Sequence, residues 1–130
     1  MTNKKVLVVD DEIHIVHVVA IKLRNNGFQV VTAENGAEAF EVAIEERPDI
    51  VVTDYQMPVM NGIELIEKLR AEPETRKVPV ILLTARNFAI EKDKSEQLQV
   101  SECLSKPFSP KELLRSIESV LCSMAAARSE

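Results

Sequence analysis

Ile50-Val51-Val52-Thr53-Asp54-Tyr55-Gln56-Met57-Pro58 is the stretch on which the reading of this chain turns. Three β-branched apolar residues run into one acid, and a turn follows at once. An apolar run of this length fits a strand buried on both faces, as in a parallel sheet. Such a strand sets its last side chain at the carboxyl edge of the sheet, where open α/β sheets bind ligands. Asp54 is then either a turn residue, a common use of Asp, or an acid at the lip of a crevice. The rest of the chain decides between these.

The totals describe an ordinary globular domain. The chain has 130 residues, 45% apolar and 28% charged, with a net charge of −5. That length is enough for one domain with a real core. The acidic balance and the absence of a long basic run argue against direct nucleic-acid binding. The apolar stretches are too short for membrane insertion, and the start runs directly into a strand-like segment without a signal-peptide pattern. Cys103 and Cys122 lack metal-ligand spacing and read as reduced thiols, so a cytoplasmic location is expected.

Outward from Asp54 the pattern repeats. Lys5-Val6-Leu7-Val8-Val9 is a short apolar strand ending in Asp10-Asp11-Glu12. Like charges in a row repel, so gathering them suggests a bound cation; Asp11 is alternatively a helix cap. A helix is predicted from about Ile13 to Asn26, with Ile15, Val19 and Leu23 facing the sheet. Ile13, Val16 and Ala20 form a second apolar stripe, either the margin of the core face or a docking surface. His14 and His17, one turn apart without a third ligand, read as solvated. Gly27 suits a left-handed cap, and Phe28 to Ala33 is the second strand. Asn35 is a cap for a helix over 37–47, and Asn61 with Glu64 forms a capping box for the next. Pro79 to Leu83 is a fourth strand delivering Thr84-Ala85. A mostly polar helix follows over 87–98, then a weak strand over 100–105 delivering Lys106-Pro107-Phe108. Ser109-Pro110-Lys111-Glu112 opens the last helix, which uses Leu113, Leu114, Ile117 and Leu121. Residues from Ala125 onward read as a fraying end.

Five strands alternating with helices imply a doubly wound parallel sheet. The ends of strands one, three, four and five then bring Asp10 and Asp11, Asp54, Thr84 and Lys106 to one edge. This convergence raises Asp54 above a turn residue. Carboxylates held together need a cation, and oxygen ligands alone favour a hard ion, Mg²⁺ or Mn²⁺. Lys106 adds a fixed positive charge and Thr84 a hydroxyl donor. Together they suit a phosphoryl group in transfer, with Asp54 as the nucleophile.

Asp10-Asp11, Asp54, Met57-Pro58, Gly62, Thr84-Ala85 and Lys106-Pro107-Phe108 together resemble the receiver domain of two-component response regulators. Spacings of 44, 30 and 22 residues separate Asp10, Asp54, Thr84 and Lys106. Any one motif is weak; five in order on one (βα)₅ chain are a strong signal. The resemblance covers residues 4 to 122. It implies a flavodoxin-like (βα)₅ fold with strand order 2-1-3-4-5, as one receiver domain over 1–130. It implies that Asp54 accepts a phosphoryl group from the phosphohistidine of a sensor histidine kinase or a histidine phosphotransfer protein. Asp11, Asp54 and the backbone carbonyl of Gln56 then ligate Mg²⁺, with Asp10 acting through water. Thr84 and Lys106 hold the phosphoryl oxygens and shift the face of the helix over 87–98, the fifth strand and the last helix toward a downstream protein target. The Lys106-Pro107 peptide is expected to be cis. Such a domain catalyses only its own phosphorylation and dephosphorylation.

The chain departs from the family pattern at Cys103, where an aromatic residue is usual, and at Gln99-Val100, where Gly-Ala is usual. A small thiol cannot sweep between two positions as a ring does, so aromatic-linked switching is in question while phosphorylation is not. Gln56 lies near the path of an attacking water and is expected to affect phosphate lifetime. Three other readings stand beside this one. A flavodoxin needs a phosphate cradle where this chain has Asp10-Asp11-Glu12, and a phosphohydrolase needs a cap insertion for which no residues are spare. A non-phosphorylated adaptor is disfavoured by the complete set of site residues.

Overall fold

The computed structural model describes residues 4–57, 59–84, 100–106 and 108–128, the last five as backbone. The elements are β1 (Lys5–Val9), α1 (Ile13–Arg24), β2 (Gln29–Ala33), α2 (Gly36–Glu46), β3 (Ile50–Asp54), α3 (Gly62–Ala71), β4 (Val80–Thr84), β5 (Glu102–Ser105) and α4 (Pro110–Arg128). The strands form one parallel sheet in the order β2-β1-β3-β4-β5, as expected. The helix expected over 87–98, Pro58, Ala85, Gln99 and the Lys106-Pro107 peptide lie outside the described residues.

β3 and β4 are buried at all five positions each, which is why both read as continuous apolar runs rather than alternating ones. Successive side chains go to opposite faces. Val6, Val8, Ile50, Val52, Ile81 and Leu83 pack against α1 and α4. Leu7, Val9, Val51, Val80 and Leu82 pack on the other side against α2 and α3. The register pairs Val9 with Thr53, so Asp10 and Asp54 are the next pair along. The same ladder pairs Asp54 with Leu83 and Thr84 with Ser105. The sheet thus sets the spacing of the site residues before any side-chain contact does.

Local signals close the helices. The Asn61 side chain accepts from the Glu64 amide and Glu64 reaches back to the Asn61 amide, completing the capping box. Asn35 accepts from the Glu38 amide, and Ser109 and Glu112 pair reciprocally at the start of α4. α1 departs from expectation. Its N-cap is Glu12, which makes no side-chain capping bond; the Glu12 amide is taken by Asp10 Oδ1 at 3.0 Å. Asp11 is exposed and does not cap. α4 continues to Arg128, past the point where the sequence predicts fraying.

Of the two readings of the second apolar stripe of α1, the structure favours the margin of the core face for Val16 and Ala20. Ala20 is buried in the core and Val16 packs partly against it. Ile13, Val16 and Ala20 line one wall of a cavity of about 410 Å³ whose other wall carries Glu34 and Glu38. The exposed apolar residues of α1 are Ile13, Val18 and Ile21. Ala20 belongs to the arc of α1 that faces the core, so a charge at Ala20 tests folding rather than docking.

The loop from β3 to α3 is tight. The Gly62 amide donates to the Tyr55 carbonyl at 2.8 Å. A Cβ on Gly62 would lie 2.5 Å from the Asp54 carbonyl oxygen, so only glycine lets α3 approach the end of β3. In the same loop Val59 is 83% exposed with φ of 73°, a conformation costly for a β-branched residue. Two opposite outcomes are expected in denaturant titrations. Gly62→Ala should lose roughly 1–3 kcal/mol, because backbone must yield, while Val59→Gly should gain about 1 kcal/mol from relieved strain. An unchanged midpoint for Gly62→Ala would contradict this packing.

Candidate functional site

Asp10 follows β1 and is 0% exposed, and Asp54 ends β3 at 6% exposed. Two buried carboxylates on neighbouring strands are unfavourable unless charge is supplied. Lys106 supplies it. Its Nζ lies 2.9 Å from Asp10 Oδ2, 3.2 Å from Asp54 Oδ2 and 3.3 Å from Glu12 Oε1. The lysine is held from below, since its amide donates to the Thr84 carbonyl at 2.7 Å. That bond continues the β4–β5 ladder by one step and ties Lys106 to Thr84. On the acid side, the Asp10 amide donates to Ala33 and the Tyr55 amide to Leu83. The backbone on both sides of the crevice is therefore fixed.

The charges do not balance. Burial, then Asp10, push the Asp54 carboxyl up to about 6; Asp11 adds to this, and Lys106 only partly offsets it. Asp10 is also raised, chiefly by burial. For Lys106, burial works against the charge, but its bonds to Asp10 and Asp54 prevail and hold it up to about 12. The two directions agree physically. One ammonium enjoys several carboxylates, while each carboxylate has only a share of one ammonium.

Carboxylate oxygens of Asp10, Asp11 and Asp54 lie within 4.8 Å of one another. This donor set, oxygen-only with an exposed member and an unmet negative charge, fits a hard divalent cation. Thr84 is buried at the end of β4, one residue past the Asp54 partner Leu83. Gln56 is exposed two residues beyond Asp54. The edge thus gathers Asp10, Asp11, Asp54, Thr84 and Lys106, the residues predicted to converge. His14 and His17 are exposed on α1 and take no part in this cluster. Cys103 and Cys122 are exposed and form no disulfide.

Glu12 was not singled out in the sequence, although its acid run was. Its signal is positional: it is the last residue before α1, on the same sheet edge as the loop that carries Lys106.

A family profile described as response regulator receiver domain matches residues 6–118. The phosphate regulon transcriptional regulatory protein PhoB of Pseudomonas aeruginosa is 34% identical over 93% of this chain and 53% of its own length. The alkaline phosphatase synthesis transcriptional regulatory protein PhoP of Bacillus subtilis is 37% identical over 92% of this chain and 49% of its own. The chain spans about half the length of these curated relatives. Among solved structures, the chemotaxis response regulator CheY4 of Vibrio cholerae superposes with a TM-score of 0.84 at 34% identity, covering 92% of this chain and 99% of that one. The receiver domain of the Pseudomonas aeruginosa sensor histidine kinase PA1611, which carries a magnesium ion in its active site cleft, gives a TM-score of 0.77 at 30% identity, over 88% and 93% of the two chains. With its strand order and its acid edge, this chain belongs to the response regulator receiver domain family.

Proposed function

We propose that Asp54 is the phosphoacceptor of a two-component phosphorelay. The observation that carries this reading is the buried Asp54 carboxylate held between two further acids and one ammonium. A carboxylate oxygen of Asp54 attacks phosphorus of a phosphohistidine. The P–N bond breaks as the new P–O bond forms, and the imidazole leaves with the electron pair. Asp11 and Asp54, with the Gln56 carbonyl, would hold Mg²⁺, or Mn²⁺ in its place, and Asp10 would act through water. When bound, the cation supplies the charge that lets phosphoryl oxygens approach a carboxylate. Lys106 and the Thr84 hydroxyl take the remaining phosphoryl oxygens. The aspartyl phosphate ends when water attacks phosphorus and the P–O bond to Asp54 breaks, returning carboxylate and phosphate.

The donor is a sensor histidine kinase or a histidine phosphotransfer protein. The chain is one receiver domain that acts in the cytoplasm by modification of itself rather than by turnover of a free substrate. Its readout is a protein target meeting β5, α4 and the segment over 87–98. Thr84 and Lys106 report phosphorylation there, a reading supported by the bond from the Lys106 amide to the Thr84 carbonyl. Cys103 on β5 stands on that face, so the readout proceeds without a swinging ring. Among the described residues no helix is long and apolar enough to cross a membrane.

Phosphoramidate carries a P–N bond like that of phosphohistidine, and intact mass reads the outcome. One added phosphoryl group is expected, requiring both Mg²⁺ and Asp54; addition to Asp54→Asn, or addition indifferent to chelator, would contradict the assignment. A second outcome concerns stability without divalent ions. The folded Asp54 carboxyl titrates at about 6 against 3.8 when unperturbed. The folded state therefore binds more protons between these values, and stability falls as pH rises through about 6. Asp54→Asn should be more stable than the parent by roughly 1–3 kcal/mol near pH 7.5, with the difference gone below about pH 4. Equal melting temperatures near neutrality would show that Asp54 is not under this stress.

A further inference from the structure

Three carboxylates share the Lys106 ammonium, and they are not equivalent. Asp10 and Asp54 are buried and belong to the acid cluster that fits a divalent cation. Glu12 lies outside that cluster, and its side chain is 47% exposed at the mouth of the crevice. Its carboxylate has no capping duty on α1. Besides Lys106 at 3.3 Å, His14 Nε2 lies 3.8 Å from its Oε2. A lysine ammonium has three donors and a flexible stem, so it can serve all three acids at once.

A divalent cation among Asp10, Asp11 and Asp54 competes with the ammonium for the same oxygens. Two cations on shared ligands repel. The ammonium must then give up part of its hold on the buried acids. The Lys106 backbone does not move freely, because its amide is bonded to Thr84; the side chain alone swings. The acid already within reach, and not wanted by the cation, is Glu12.

We propose that Glu12 is the acid to which the Lys106 ammonium retreats when a divalent cation enters, a positioning residue that keeps the lysine at the mouth of the crevice. This rests on the reading of Asp10, Asp11 and Asp54 as a cation site. Glu12 stabilises the cation-loaded form by giving the displaced ammonium a charged partner in place of water. It also holds that ammonium beside Asp54, where arriving phosphoryl oxygens meet it.

The test is Mg²⁺ affinity, by titration calorimetry, of the parent protein, Glu12→Gln, Lys106→Met and the double variant. Glu12→Gln is expected to weaken Mg²⁺ about five-fold or more where Lys106 is present, and less than about two-fold in the Lys106→Met background, as coupled groups do. An equal loss in both backgrounds would mean that Glu12 acts as a plain negative charge and would overturn the proposal, as would no loss in either. Failure of the parent protein to bind Mg²⁺ would instead remove the cation reading itself, and the proposal with it. Because Lys106→Met leaves buried acids without their partner, a second measurement uses the intact lysine. The ¹⁵N-detected ammonium resonance of Lys106 in the Mg²⁺-loaded protein should be protected from solvent exchange in the parent and broadened in Glu12→Gln. Identical behaviour in the two proteins would rule out the retreat to Glu12.

Discussion

Burying more negative charge than positive at one edge of a sheet is the constraint on which this structure depends. Asp10 and Asp54 are both withdrawn from water, with one ammonium between them. Placing unpaired charge in such a setting is costly, and a domain of this size has only a modest net stability to spend. The acids are tolerated because the rest of the fold is apolar and regular. Both faces of the central strands are covered, and among the described residues no buried side-chain polar atom lacks a hydrogen-bond partner. The imbalance is local, and it is what makes the donor set of this edge fit a cation.

The scaffold converts this imbalance into chemistry by geometry. Parallel pairing fixes which strand ends are neighbours, and β1 and β3 at the centre bring the two buried acids side by side. β4 and β5 bring the hydroxyl and the amine from the other side, joined through the Lys106 amide and the Thr84 carbonyl. Gly62 lets α3 start directly against the end of β3, so the loop leaving Asp54 turns away at once and leaves the carboxylate at the lip. A site built in this way is pre-organised for charge arriving from outside, and its hydroxyl and amine sit on one continuous β4–β5 ladder.

Much of this was legible in the chain. Runs such as Val80 to Leu83 and Ile50 to Val52 are apolar at every position, a pattern that a strand buried on both faces produces and a surface strand does not. The caps at Asn35, Asn61 and Ser109 were readable because each depends on a side chain three residues from its partner. What escaped depends on distance in space. Ala20 reads as the margin of the core face and lies inside the core, because the cover it receives comes from elements far along the chain. Asp11 has the right type for a cap, yet the N-cap of α1 is Glu12, whose own amide is taken by Asp10. The bond between Glu12 and Lys106 spans 94 residues, and no local pattern records it. The strain at Val59 is invisible for the opposite reason: a β-branched residue predicts the conformation that this loop does not adopt.

The central claim is that the acids and the amine form one phosphoryl site around Asp54. A crystal structure of the protein with Mg²⁺ and beryllium fluoride tests it most directly. A fluoroberyllate is expected on an Asp54 carboxylate oxygen, contacted by Lys106 and Thr84, with Mg²⁺ against Asp10, Asp11 and Asp54. A fluoroberyllate bound elsewhere, or an Asp54 carboxylate without an adduct and still paired to Lys106, would contradict it.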